Sequence, residues 1–206
     1  MRVSRRVLLI LPLTAATALG APTGAPAASA PAVVIQGFYD VLRAVMKDAK
    51  WLSFDERYQR LAPAIARTFD LALMSRIAVG PQWTQLRPDQ QERVSAAFSR
   101  YTVSVYANRF DDYGGERFEV DPEAATTANG VLVHTRLVKS NGEKVELDYL
   151  MRERPGGPWQ VIDVYLSGTI SELATRRSEF LAVLQKDGAD GLVRMLDSRT
   201  AALRTG

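Results

Sequence analysis

The sequence has no cysteine. No disulfide can staple the fold, and no thiolate is present to act as a nucleophile or to hold zinc. It has one histidine, His134. A histidine-rich metal set is therefore excluded, and a histidine-activated nucleophile has a single candidate base. There is no Gly-rich phosphate loop and no His/Asp/Glu set at metal-ligand spacing. Long apolar runs are also missing. The strongest, "VLLILPLTAATALGA", is too short and too rich in Ala and Thr to read as a membrane span. No segment repeats.

That run has other neighbours that explain it. Arg2, Arg5 and Arg6 precede it, and small-residue cleavage options follow at Ala18-Leu19-Gly20, Ala25-Pro26-Ala27 and Ala28-Ser29-Ala30. This is a secretory signal layout. Residues 1–30 are expected to be a signal peptide with a flexible Pro/Ala-rich lead-in, and residues 31–206 a single domain. "SRRVLL" resembles part of a twin-arginine signal only weakly, and an ordinary signal with two adjacent arginines is the preferred reading. The chain carries 26 Lys+Arg against 23 Asp+Glu; without the three leader arginines the balance is 23 against 23. The basic character belongs to the leader, and no basic patch remains to argue for nucleic acid. An exported domain without disulfides must be held by packing alone, which suits a periplasm.

The remaining chain divides by period. Val34, Phe38, Val41, Leu42 and Val45 recur at helical spacing. Ser53 and Glu56 form a capping box for a second helix, which Pro63 is expected to kink or interrupt. Asp70 can cap a short third helix that stops at Gly80-Pro81, and Pro88 suits the first turn of a long fourth one. After Asp111 the period becomes two. "RFEV", "VLVHTRLVKS", "EKVELDYLMR" and "WQVIDVYL" read as an antiparallel meander, with Asn141-Gly142 as a hairpin signal. Two helices close the chain, the first ended by Gly188 and the second capped by Asp190. The order predicts an α+β fold: a curved antiparallel sheet of about four strands packed against N-terminal and C-terminal helices.

Two elements are apolar on more faces than this architecture needs. In "WQVIDVYL", alternation points Ile162, Val164 and Leu166 one way, and Trp159, Val161 and Tyr165 the other, with Asp163 on the Trp159 side. On the long helix, Val94, Phe98, Tyr101 and Val105 make one stripe; Val103, Tyr106 and Phe110 make a second. Either a third layer covers them or the domain contains something apolar. Pattern alone favours ordinary core.

The stretch "WQVIDVYLSGTISELATRRSEFLAVLQKDGADGLVRML" resembles the MlaC-type family of periplasmic lipid-binding proteins, the auxiliary components of an ABC transport system. Trp159, Asp163, Ser167, Gly168, Phe180, Gly188 and Gly191 sit on its pattern. "WTQLRPDQQERVSAAFSRYTVSVYANRF" and "YQRLAPAIARTFDLALMSRIAVG" look closest to the hopanoid-biosynthesis-associated (HpnM-type) branch. The chain departs from the family at Thr169-Ile170-Ser171, where Val-Ser is usual, and at Arg87, where Ser or Thr is usual.

The resemblance implies an apolar cavity between sheet and helices that holds a phospholipid or a hopanoid-type lipid. It also implies membrane-anchored transporter components as partners, no cofactor and no bond chemistry. Candidate cavity residues are Phe98, Tyr101 and Val105 on the long helix, Val133, Leu147, Tyr149 and Met151 on the middle strands, and Ile162, Val164, Leu166 and Ile170 at the end of the meander. Trp159, Asp163, Gly168 and Gly188 are expected to be structural. The rival reading is a small cone-shaped isomerase or hydratase using Asp163 or His134; a third is an interaction protein with a filled core. Arg176 and Arg177 could meet a lipid phosphate or an acidic partner, and Asp111-Asp112 a cation.

Overall fold

The computed structural model describes residues 29–205. The expected leader lies, up to Ala28, outside the described residues. The elements run α1 (Ala30–Asp48), α2 (Phe54–Thr68), α3 (Leu71–Val79), α4 (Pro88–Arg109), β1 (Arg117–Thr127), β2 (Gly130–Val138), β3 (Lys144–Glu153), β4 (Trp159–Leu166), β5 (Ile170–Ser171) and α5 (Glu172–Thr205). Among the described residues no helix is long and apolar enough to cross a membrane.

The helix starts follow their capping chemistry. α1 begins at Ala30, one residue before the expected domain boundary, and Pro31 suits its first turn, where the missing N–H costs nothing. Ser53 and Glu56 exchange both capping-box bonds at the start of α2. That helix runs through Pro63 without interruption, losing only the N–H that would bond the Gln59 carbonyl. The Asp70 carboxylate accepts the Leu73 N–H at 3.0 Å and opens α3. Arg87 cannot accept a hydrogen bond. The start of α4 therefore keeps only the return half of a capping box, the Arg87 N–H donating to Gln90 at 3.0 Å.

The sheet is an antiparallel meander in the order β1-β2-β3-β4-β5, one strand more than the pattern suggested. The addition is the two-residue β5, which follows a tight turn at Ser167 (φ 51) and Gly168 (φ 73). β1 is also longer than "RFEV". A bulge between Val120 and Ala124 carries the strand past Pro122, tolerated because β1 is an edge. At Asn141-Gly142 the hairpin closes with a Lys139–Glu143 backbone pair and Gly142 in the left-handed region.

The helices lie on one face of this sheet. The core joins α1 (Ile35, Phe38, Tyr39, Leu42) and α2 (Leu61, Ile65) to Val133, Tyr149, Met151 and Val161 of the sheet. The end of α2 also touches the sheet edge: Phe69 bridges Val161, and the Asp70 N–H donates to the Val161 carbonyl.

α5 is a helical hairpin. Gly188 (φ 65) breaks it, and Arg199 pairs with Glu179. In a straight helix those two residues would lie about 30 Å apart, so the chain must reverse between them. The second limb runs parallel to α4 and is tied to it by Arg93–Asp190 and Arg100–Asp197. Asp190, expected as a cap, spends its carboxylate on Arg93. The first limb runs antiparallel to α4, with Phe180 edge-on to Phe98.

Candidate functional site: an apolar cavity

A cavity of about 110 Å³ lies between α4, the start of α5 and the sheet. α4 contributes Phe98, Tyr101, Thr102, Val105, Tyr106 and Arg109, with Phe110 just beyond. The strands contribute Leu147 and Tyr149 from β3 and Val164 and Leu166 from β4. Glu172, Leu173 and Arg176 of α5 close one side, and Phe69 and Met74 the back. Both stripes of α4 thus reach the cavity, the first through Phe98, Tyr101 and Val105 and the second through Tyr106 and Phe110, while Val94 and Val103 are buried in the packed core.

β4 reaches the cavity through a bulge. Leu150 pairs with Asp163 and Met151 with Val161, so Ile162 is an extra residue that shifts the alternation. Val161 and Val164 consequently both face the core, three positions apart. This corrects the strict alternation expected for the strand. Ile162 is buried but does not line the cavity. Part of the two-faced apolarity of "WQVIDVYL" is therefore a bulge, and the rest faces the cavity.

Behind Tyr149 lies a buried row of hydroxyls. Tyr39 Oη is 2.7 Å from Thr135 Oγ1 and 3.0 Å from Tyr149 Oη, and Thr135 Oγ1 donates to the Leu147 carbonyl. Burial pushes the Tyr39 phenol up to about 12 and raises Tyr149 well above the ordinary phenol value. Packing against Phe38, Phe69 and Phe110 holds Tyr106 above the ordinary phenol value as well. All three are neutral hydrogen-bonding groups at physiological pH, with no charge to place against a hydrocarbon wall.

The polar residues weighed as catalytic candidates are committed elsewhere. Asp163 accepts from Ser171 Oγ at 2.5 Å, from its neighbour Val164 N–H at 2.8 Å and from Leu173 N–H at 3.4 Å. It ties β4 to the start of α5. Burial raises its pKa, and these bonds pull the other way. His134 Nδ1 sits 2.9 Å from Asp148 Oδ2 and is not among the cavity-lining residues. Asp163 and His134 thus bond separate partners. Asp112 accepts its neighbour's Tyr113 N–H, and no cluster among the described residues could hold a metal ion.

Of the residues proposed from sequence, Phe98, Tyr101, Val105, Leu147, Tyr149, Val164 and Leu166 come together around the cavity. Four do not. Val133 and Met151 are fully buried in the packed core, and Ile162 is displaced by the bulge. Ile170, on the two-residue strand β5, is 53% exposed and does not line the cavity. Trp159 packs partly buried against the core, and Gly168 and Gly188 hold positive φ at their turns. Phe69, Met74, Thr102 and Leu173 were missed. Thr102 is a polar residue beside the apolar stripe of α4, and the other three come from segments that meet that helix only in three dimensions. Tyr106 and Phe110 were legible as the second stripe of α4. The two arginines separate: Arg176 lines the cavity, whereas Arg177 donates to the Ile77 carbonyl at the end of α3 at 3.0 Å.

Known proteins match this geometry. A family model described as MlaC protein matches residues 37–198. Among solved structures, the phospholipid-binding protein of Ralstonia solanacearum, determined in complex with a phospholipid, aligns with a TM-score of 0.73 at 26% identity. The alignment covers 85% of this chain and 99% of that one. No curated protein matches in sequence.

Proposed function

The chain belongs to the MlaC family, and from that premise we propose that it is a periplasmic lipid carrier. It takes a lipid from one membrane-bound partner of a transport system and passes it to another, without bond chemistry. The observation that carries this reading is the apolar cavity, walled by α4, α5 and β3–β4, in a chain similar to a protein solved with phospholipid bound.

Phospholipid is the first expectation for the cargo. A hopanoid-type lipid is the second, favoured by the resemblance of residues 58–80 and 83–110 to the hopanoid-associated branch. Export would remove the leader and leave residues 31–206 as the working domain. The hydrocarbon tail occupies the cavity and the polar head stays at its mouth. The gate is a movement of the helices relative to the sheet; a tight crosslink between α4 and β3 that left lipid exchange unchanged would count against it.

The test is native mass spectrometry of the exported protein, purified without detergent, followed by extraction of whatever it carries. A lipid at one-to-one stoichiometry is expected, and its identity chooses between the two cargoes. A protein that carries none and takes none from vesicles would refute the carrier reading.

A further inference from the structure

The apolar cavity has three charged residues on its lining, Arg109, Glu172 and Arg176. Two of them neutralise each other. Arg176 donates to Glu172 at 3.1 Å and to the Tyr101 hydroxyl at 3.1 Å, and its guanidinium lies 5.2 Å from the centre of the Tyr101 ring. Arg109 is different. It is exposed, and among the described residues it has neither an ion pair nor a side-chain hydrogen bond. Its nearest acids in sequence, Asp111 and Asp112, are exposed and do not line the cavity. The mouth therefore holds one uncompensated positive charge. A cation in the last turn of a helix favours the helix dipole modestly, but that does not require a place on the wall of an apolar cavity.

We propose that Arg109 reads the headgroup: the cavity mouth selects a lipid whose phosphodiester head carries a single net negative charge over a zwitterionic or uncharged one. The inference rests on the carrier reading and deepens it. With the tail in the cavity, the phosphate lies at the mouth, where a guanidinium offers two parallel N–H donors to its oxygens. A zwitterionic head carries its own ammonium and gains less from a lone cation. A hydroxylated isoprenoid presents no charge there.

The test offers the exported protein vesicles of phosphatidylglycerol and phosphatidylethanolamine in equal amounts and reads the bound ratio by native mass spectrometry. A preference for phosphatidylglycerol of about threefold to tenfold is expected for a partly solvated charge-assisted contact. It should shrink as salt is added. Arg109→Gln should bring the ratio to parity, and Arg109→Lys should keep most of the preference. Equal uptake by the unsubstituted protein, or a preference that survives Arg109→Gln, overturns the proposal while leaving the carrier reading intact. Uptake of neither lipid overturns the proposal together with the phospholipid cargo, leaving only the hopanoid form of the carrier reading. Inorganic phosphate alone should leave the melting temperature unchanged. A rise with phosphate that Arg109→Gln abolishes would assign the residue to a free anion and also overturn the proposal.

Discussion

Filling the cavity should make the protein more stable and less useful. Val105 is half-buried on α4 and lines the cavity. The four carbons added by Val105→Phe occupy roughly half to two-thirds of its 110 Å³ at interior packing density. Cavity space costs on the order of 24 cal/mol per Å³, so the substitution should return about 1.5 kcal/mol. For a domain of this length that raises the melting temperature by roughly 3–5 °C. The comparison must use delipidated protein, because bound lipid stabilises the unsubstituted chain by mass action. Lipid uptake from vesicles should fall sharply in the same variant. Val94→Phe is the control. Val94 is 1% exposed in the packed core of the same helix, and overpacking there should cost about 1–3 kcal/mol. If Val105→Phe is destabilised like Val94→Phe and still takes up lipid, the cavity is not where the tail goes.

Four further outcomes follow from the geometry. Asp163→Ala leaves Ser171 Oγ and the Leu173 N–H without their acceptor, and should cost about 2–3 kcal/mol in urea unfolding. Because burial raises the Asp163 pKa, the native state holds that proton more tightly than the unfolded chain. Stability should therefore fall as pH rises through the interval above the ordinary carboxylate value, and Asp163→Asn should lack this component. The same sign applies at alkaline pH. Tyr39 is raised from 10.0 to about 12, so stability should drop between those values; ultraviolet titration that ionised the buried phenols of a still-folded protein near pH 10 would contradict the structure. Gly188→Ala should cost about 1–2 kcal/mol in a thermal melt. Nothing lies within 4 Å of the added Cβ, so the penalty is one of backbone conformation alone; with ψ at −168° the residue lies outside the αL region that asparagine tolerates, and Gly188→Asn should cost as much.

Much of this architecture was legible because local chemistry and tertiary demand agree. The capping box at Ser53, the Asp70 cap, the Pro88 start and the Asn141-Gly142 turn each specify a short stretch by themselves, and the structure uses all of them. Legibility failed where one residue changes a count. The extra Ile162 shifts β4 out of strict alternation, and no residue type announces a bulge in advance. It failed again at α5, where the reversal at Gly188 was readable but the partner of Asp190 was not. Arg93 lies 97 positions away and meets it only because the second limb of the hairpin runs along α4. The cavity divides in the same way. Its α4 wall shows in the sequence as a surplus of aromatic stripes, whereas its back, Phe69 and Met74, depends on the α2–α3 corner docking on the β4 edge.

The size of the cavity bears on how such a carrier would hold and release its cargo. An acyl tail of about fifteen methylenes fills on the order of 400 Å³ at interior density, and exposing it to water costs roughly 12 kcal/mol. A cavity of about 110 Å³ accommodates only part of one tail. In the proposed carrier the walls would part to admit the rest, and the polar ties indicate which wall is free to move. The sheet is held by its ladder, and the second limb of α5 is clasped to α4 by two ion pairs. Between α4 and β3 the cavity walls are mainly apolar, Val105 and Phe98 facing Leu147 and Tyr149. The apolar packing given up as that seam opens is restored against the tail, so opening with lipid costs far less than opening without it. A carrier built this way closes when its cargo leaves, and its affinity is the tail's burial energy less the cost of separating helices from sheet. That difference can be small enough for release to a partner while either state keeps its hydrocarbon out of water.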